Sequence, residues 1–171
     1  IANVFAQTRR RGANDSKVGP LMLEIRPMTT ADLSAVLEIE KTLFPIDAWT
    51  DALFLAELAE VTISRDVSVA ILDSEIVGYA SFRYVGKQGD VNTVAVASNQ
   101  QGKGIGTALM DWLESQAALR NVREIFLEVR SDNEVAIKMY ATRGYERIDI
   151  RRNYYGNTID ANIMRKRVPN V

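Results

Sequence analysis

The sequence predicts one α/β (α+β) domain built on a mixed, seven-stranded sheet with helices on both faces. Two observations carry that expectation. Segments of period-2 alternation and segments of 3.6-residue periodicity follow one another in the order β-α-α-β-β-β-α-β-α-β-β. The chain has 171 residues, 47% of them hydrophobic and 25% charged, which suits a single packed domain with a solvated surface.

Residues 1 to 21 stand apart from that pattern. They combine Arg9, Arg10 and Arg11 with Gly12, Asn14, Asp15, Ser16, Gly19 and Pro20 and show no sustained periodicity, so a flexible N-terminal extension is expected. A solvated tail accounts for the three arginines more simply than a nucleic-acid contact does. Met22 is the expected start of the domain, which runs over 22–171.

Leu23 to Pro27 alternates as a short strand. Thr29 and Thr30 supply a helix N-cap, and Leu33, Val36, Leu37, Glu40 and Leu43 follow at helical spacing until Pro45 stops the helix. A second helix is expected over Trp49 to Leu58, begun by Thr50 and favoured by Asp51 in its first turn. Val67 to Leu72 and Ile76 to Tyr84 read as a hairpin about Asp73-Ser74, and Asp90 to Ala97 as a third, valine-rich strand. The long helix from Gly104 to Leu119 sets Ile105, Ala108, Leu109, Trp112, Leu113 and Gln116 on one face. Glu124 to Arg130 is a near-continuous apolar strand. Ser131 and Glu134 have capping-box spacing, the next helix runs to Arg143, and Gly144 sits at its C′ position. Two last strands, Tyr145 to Arg151 and Ile159 to Lys166, flank a loop with Gly156-Asn157.

Composition removes several chemistries. The chain has neither cysteine nor histidine. Disulfides, a cysteine nucleophile and zinc sites of the nitrogen/sulfur type are therefore excluded, and no metal is expected. A general base has to be a carboxylate, tyrosine, lysine, amine or water. A net charge of -1 implies no global attraction to nucleic acid or membrane. No apolar run approaches the roughly 20 residues of a membrane span, and the polar, basic first residues lack a signal-peptide apolar region, so a cytoplasmic location is expected.

The strongest chemical signal lies where the third strand meets the long helix, at Gln101-Gly102-Lys103-Gly104-Ile105-Gly106. The first turn of a helix leaves about four N–H groups unpaired, and its dipole places roughly half a positive charge there. Glycines let the backbone approach phosphate oxygens closely, so a diphosphate is the natural guest. The spacing is neither the dinucleotide G-x-G-x-x-G nor the P-loop G-x-x-x-x-G-K-[ST]. A plain turn between strand and helix remains the simple alternative.

The loop has the Q/R-x-x-G-x-G/A pattern, and in this it resembles the pyrophosphate loop of the GNAT acetyltransferases. From Asn92 to Arg167 the chain resembles the bacterial RimI-type members. Thr93-Val94-Ala95-Val96, Leu127 to Asn133, Ala136 to Tyr140, Gly144-Tyr145 and the run Arg151-Arg152-Asn153-Tyr154-Tyr155 carry that likeness. The resemblance implies the GNAT fold, a mostly antiparallel sheet splayed at a cleft for acetyl-CoA. It implies that Val94, Ala95 and Val96 face the pantetheine and thioester through their backbone. Gln101, Gly102, Lys103, Gly104, Ile105, Gly106 and Thr107 would hold the pyrophosphate, and Asn133 the cofactor arm. Val94 and Val96 can equally be buried strand residues and Asn133 a helix-start residue.

The same resemblance implies catalytic roles. Glu128 alternates in facing with Leu127 and Val129, and partial desolvation of such a carboxylate would fit it as general base, directly or through a water. It could also be an ordinary strand glutamate paired with Arg130 or Arg123. Tyr140, twelve residues on, would protonate the departing thiolate, although helical spacing also suits a core aromatic there. The resemblance also implies a bulge in the strand before the glycine loop, and a backbone N–H of that Val94–Val96 bulge would stabilise the oxyanion. Without a cysteine to carry the acetyl group, direct transfer is expected.

RimI-type enzymes acetylate the N-terminal alanine of a small-subunit ribosomal protein. The implied partner is that protein N-terminus, with no nucleic acid or membrane, and the enzyme is expected to be a monomer. Arg152, Tyr154 and Tyr155 would bind the peptide beside the final hairpin, or form a polar surface turn. Trp49 and the Phe44 to Trp49 loop would form the opposite wall. Ile46-Asp47-Ala48 lengthens the usual Phe-Pro-Trp spacing there, which alters the acceptor pocket rather than the chemistry. Lysine side chains, small amines, or a non-catalytic CoA-sensing role are the alternatives.

Overall fold

The computed structural model describes residues 4–6 (backbone alone), 22–45 and 48–169. Its elements in chain order are β1 (Val4–Ala6), β2 (Leu23–Pro27), α1 (Leu33–Leu43), α2 (Asp51–Ala59), β3 (Arg65–Leu72), β4 (Glu75–Val85) and β5 (Gln88–Val96). They continue with α3 (Ile105–Leu119), β6 (Glu124–Arg130), α4 (Glu134–Thr142), β7 (Glu146–Tyr155) and β8 (Ile159–Arg167). The sheet order is β1-β2-β3-β4-β5-β6-β8-β7. Neighbours are antiparallel except β5 and β6, which run parallel with α3 as their crossover. The seven expected strands are present, and Val4–Ala6 adds an eighth by pairing with Leu23 to Ile25. The rest of the expected extension, 1–3 and 7–21, lies outside the described residues.

The two faces have separate cores. α1 and α2 cover one face, where Val36, Ile39 and Phe54 pack on Val67, Val69, Tyr79 and Ala95. α3 and α4 cover the other, where Leu109, Met110, Leu113 and Tyr140 meet Ala80, Phe82, Ile125 and Leu127. Helical periodicity placed Ile105, Leu109, Trp112 and Leu113 of α3 inside. Met110 and Ala117 are also buried and Gln116 only half so, because a helix pressed on a twisted sheet buries a wider stripe than one row of side chains.

Local capping differs from the sequence pattern at two places. Thr29 caps a 3-10 turn (Thr30–Asp32) that precedes α1. Asp32 accepts from the Thr29 N–H at 2.8 Å and receives the Arg26 guanidinium on both oxygens at 2.7 Å. The expected capping box of Ser131 and Glu134 does not form. Asn133 is the N-cap of α4, its Oδ1 accepting from the Ala136 N–H at 3.1 Å. Arg130 draws Asp132 into a bidentate pair at 2.8 and 3.0 Å, and the helix begins one residue beyond that turn, where Asn is as good a cap as Ser.

Candidate active site

The site begins with one extra residue in β5. Against β4 the register runs Ser81 opposite Thr93 and then Phe82 opposite Val91, which leaves Asn92 without a partner as a β-bulge. Against β6 the parallel register runs from Gln88 opposite Glu124 to Val91 opposite Leu127 and stops there. Beyond the bulge β5 parts from β6, whose Glu128 to Arg130 pair with β8. A cleft of about 1000 Å³ opens at the parting.

Backbone direction decides what β5 offers to that gap. Strand N–H and C=O groups alternate between the two sides. The Ala97 N–H bonds the Val77 carbonyl on β4 at 2.9 Å. Val96 and Val94 therefore point their N–H and C=O groups the other way, into the gap. The Gln101 side chain takes the Val96 carbonyl at 3.0 Å and braces the glycine loop against the strand. Ala95 faces the α1 core and is 4% exposed. Gly78, opposite Val96 on β4, lets the strands close up: a Cβ there would stand 2.7 Å from the Ala95 carbonyl oxygen.

Alternation along β6 sends Ile125, Leu127 and Val129 into the α3 core and leaves Phe126 and Glu128 on the cleft side. The Glu128 side chain is 29% exposed and its Oε1 lies 2.6 Å from the Arg151 Nη1. The Arg151 guanidinium in turn stacks 5.4 Å over the Tyr154 ring. A hydrogen bond to Glu128, with burial and the carboxylate's charge, raises the Tyr154 pKa. Tyr155 meets Tyr154 edge-to-face at 5.1 Å. Burial, with the Glu128 charge second, pushes its phenol up to about 12. Asp90 lines the same cleft, its carboxyl raised first by burial and further by Glu128, with Arg83 opposing.

Tyr140 reaches the cleft from α4 while its ring packs edge-to-face on Tyr145 at 5.8 Å. It is 8% exposed. Burial, with the nearby Tyr155, pushes its phenol up to about 12, so it is held protonated. Asn133 lines the cleft as well as capping α4.

The opposite wall is apolar: Leu43, Phe44, Pro45 and Trp49. Glu40, 3% exposed on the last turn of α1, accepts the Trp49 N–H at 2.7 Å and so ties the far end of the loop to the helix. Burial raises its pKa against that hydrogen bond. Ile46 and Asp47 of this loop lie outside the described residues.

The glycine loop follows β5 through a 3-10 turn, Ser98–Gln100. Gly102 and Gly104 adopt φ of 74° and 83°, and a Cβ on either would meet nothing within 4 Å. That open space faces a helix whose N-cap, Gly104, carries no side chain to satisfy the first-turn N–H groups. The cradle fits a diphosphate. Lys103 is held by Gln100 at 2.7 Å, Ile105 is buried in the α3 core, Gly106 has ordinary room for a Cβ and Thr107 is exposed. Ile105 can thus contribute only its backbone.

One expected peptide contact is placed elsewhere. Arg152 is 77% exposed, pairs with Asp160 at 2.8 Å and does not line the cleft. Strand alternation turns it away from Arg151, which takes the inward place. Arg151, Asp90 and Glu40 escaped the sequence reading, and the bulge that the resemblance implied at Val94–Val96 falls earlier, at Asn92. Only the run of two arginines hinted at one of these residues; the place of a bulge leaves no period to read, and Asp90 acquires its neighbours from β4 and β6. Among the described residues no group of three or more Asp or Glu could hold a metal, and no helix is long and apolar enough to cross a membrane.

Comparison with known proteins agrees with this geometry. Residues 33–145 match the Acetyltransferase (GNAT) family. The N-alpha-acetyltransferase RimI of Mycobacterium tuberculosis is 34% identical over 148 residues, which take in 83% of this chain and 90% of that one. A longer uncharacterized protein of Mycobacterium leprae is 35% identical over 148 residues, and the chain spans 40% of its length. The ribosomal protein bS18-alanine N-acetyltransferase of Escherichia coli is 30% identical over 139 residues, 80% of this chain and 90% of the relative. A crystal structure of the Escherichia coli enzyme superposes with a TM-score of 0.78 at 27% identity, covering 88% of this chain and 96% of that one.

Proposed function

This chain belongs to the Acetyltransferase (GNAT) family and is an acetyl-CoA-dependent N-acetyltransferase, and we propose that its acceptor is the N-terminal α-amino group, on alanine, of a small-subunit ribosomal protein. The observation that carries this reading is the meeting of Glu128, Tyr140, Tyr154 and Tyr155 at the parting of β5 and β6. The domain of this activity is 22–171. A ribosomal acceptor would be met in the cytoplasm, and every residue of this reading comes from one chain, so a monomer suffices.

Acetyl-CoA supplies an activated acyl group. Gln101 to Thr107 would hold its diphosphate through backbone N–H groups, and Val94, Val96 and Asn133 would flank its arm, whereas the Ala95 backbone turns to β4 with that of Ala97. The acceptor amine, with a pKa near 8, arrives partly as an ammonium. Glu128 takes its proton, directly or through a water, while Arg151 orients the carboxylate. The Val94 N–H, directed into the gap, meets the thioester oxygen as charge builds there. Tyr140, held protonated by burial, gives its proton to the departing thiolate. Trp49 and the tyrosine pair enclose the first residues of the peptide.

Two results test this. Tyr140→Phe keeps the ring packing and removes only the hydroxyl, so kcat falls by about 10²-fold with both KM values nearly unchanged; an unchanged kcat removes Tyr140 from the reaction. Thiol release is then measured with an alanine-starting ribosomal peptide and with an N-terminally blocked copy that keeps its lysines. Turnover of the free peptide alone supports the proposed acceptor, and equal turnover of the blocked copy makes a lysine side chain the acceptor.

A further inference from the structure

We propose that Glu57 is the positioning residue that holds the Asn92 bulge in place and thereby keeps β5 parted from β6 for acetyl-CoA; the proposal rests on reading that gap as the acetyl-CoA site. A bulge leaves its extra residue unpaired and disrupts the ladder locally, so a contact from outside the ladder can fix where that residue sits. Asn92 is exposed and has no partner in the β4 register. Its Nδ2 donates to Glu57 Oε2 at 3.1 Å. The same oxygen accepts from the Ser81 hydroxyl at 2.5 Å, and Ser81 is the last β4 residue in register before the bulge. The other oxygen, Oε1, accepts from Arg65 Nε at 2.7 Å.

One carboxylate on α2 therefore gathers donors from β3, β4 and β5 at the point where the register breaks. The Glu57 side chain is 12% exposed. A carboxylate so far removed from water is costly unless hydrogen-bonded, and here the bonds it needs are the ones that pin the bulge. α2 begins just after Trp49, so the clamp also ties the acceptor wall to the cofactor strand. Two steps link Glu57 to the chemistry: Asn92 fixes the turn of β5, and that turn directs the Val94 and Val96 backbone into the gap.

The test uses the full chain with Glu57→Ala, Glu57→Gln, Asn92→Ala and the Glu57→Ala/Asn92→Ala pair. Acetyl-CoA affinity is read by calorimetry, and melting temperature separately. Glu57→Ala is expected to weaken acetyl-CoA binding about tenfold and Asn92→Ala about threefold, the latter without a change in melting. Glu57→Gln retains an acceptor oxygen for Ser81 and Asn92 and should stay within about twofold of the parent. Because both residues act through one contact, the double variant should bind no worse than Glu57→Ala. Parental affinity in folded Glu57→Ala and in Asn92→Ala, or losses that simply add in the double variant, would overturn the proposal. Should Glu57→Ala not fold, exposed Asn92→Ala decides alone. If the parent protein itself fails to bind acetyl-CoA, the fault lies in the reading of the gap rather than in the clamp.

Discussion

Glu128→Gln is expected to lower kcat by about 10²–10⁴-fold while leaving the KM for acetyl-CoA within about twofold. The substitution keeps the side chain's size on β6 and a hydrogen-bond acceptor for Tyr154. It removes the proton acceptor and the 2.6 Å ion pair with Arg151. Cofactor binding is spared because the acetyl-CoA contacts of this account come from β5, the glycine loop and Asn133. The deficit should depend on pH in a particular direction. An α-amine with a pKa near 8 sheds its own proton as pH rises from 7 to 9, so the variant should recover part of its lost rate over that range. A lysine acceptor, with a pKa near 10.4, would show little recovery there. Steady-state rates across that range on both variants check the magnitude and the direction together.

Gly104→Val should instead act on the cofactor, raising the KM and dissociation constant for acetyl-CoA about tenfold or more with a smaller effect on kcat. Gly104 has a φ of 83° and caps α3. A β-branched residue is a genuine outlier at positive φ, and the left-handed conformation costs an L-residue roughly 1–2 kcal/mol. The added Cβ would project into the open space in front of the first-turn N–H groups, where nothing lies within 4 Å. That space is the diphosphate's in this account, so strain and steric exclusion add. Gly106→Ala is the internal contrast. Its Cβ would make only ordinary contacts, with Met139 Sδ at 3.6 Å and Val96 Cγ2 at 3.9 Å, and its effect should be several-fold smaller. Calorimetric titration of acetyl-CoA into each variant separates the two.

Much of this architecture was legible in the chain because its elements are locally consistent. Alternation along the strand set the facing of Glu128, and the valine-rich strand running into three glycines marked the loop that opens α3. The twelve-residue spacing from Glu128 to Tyr140 brought both to one cleft, as expected from the resemblance. What stayed hidden depends on contacts between distant elements. Asn92 looks like any strand residue until the β4 register slips beside it. Glu57 looks like a solvated helix residue until Arg65, Ser81 and Asn92 converge on it. Arg151 and Arg152 are indistinguishable in sequence, and only the paired β7 and β8 turn one toward Glu128 and the other toward Asp160. The cap of α4 moved from Ser131 to Asn133 because the Arg130–Asp132 pair shapes the preceding turn.

Tandem mass spectrometry of one peptide shows which nitrogen is acetylated. The peptide begins with a free alanine, carries an internal lysine, and is incubated with the protein and acetyl-CoA until part of it is acetylated. A single acetyl group is expected, on the α-nitrogen of alanine, formed by the parent protein and not by Glu128→Gln. An acetyl group on the lysine, or equal product from Glu128→Gln, would contradict the proposed acceptor and base.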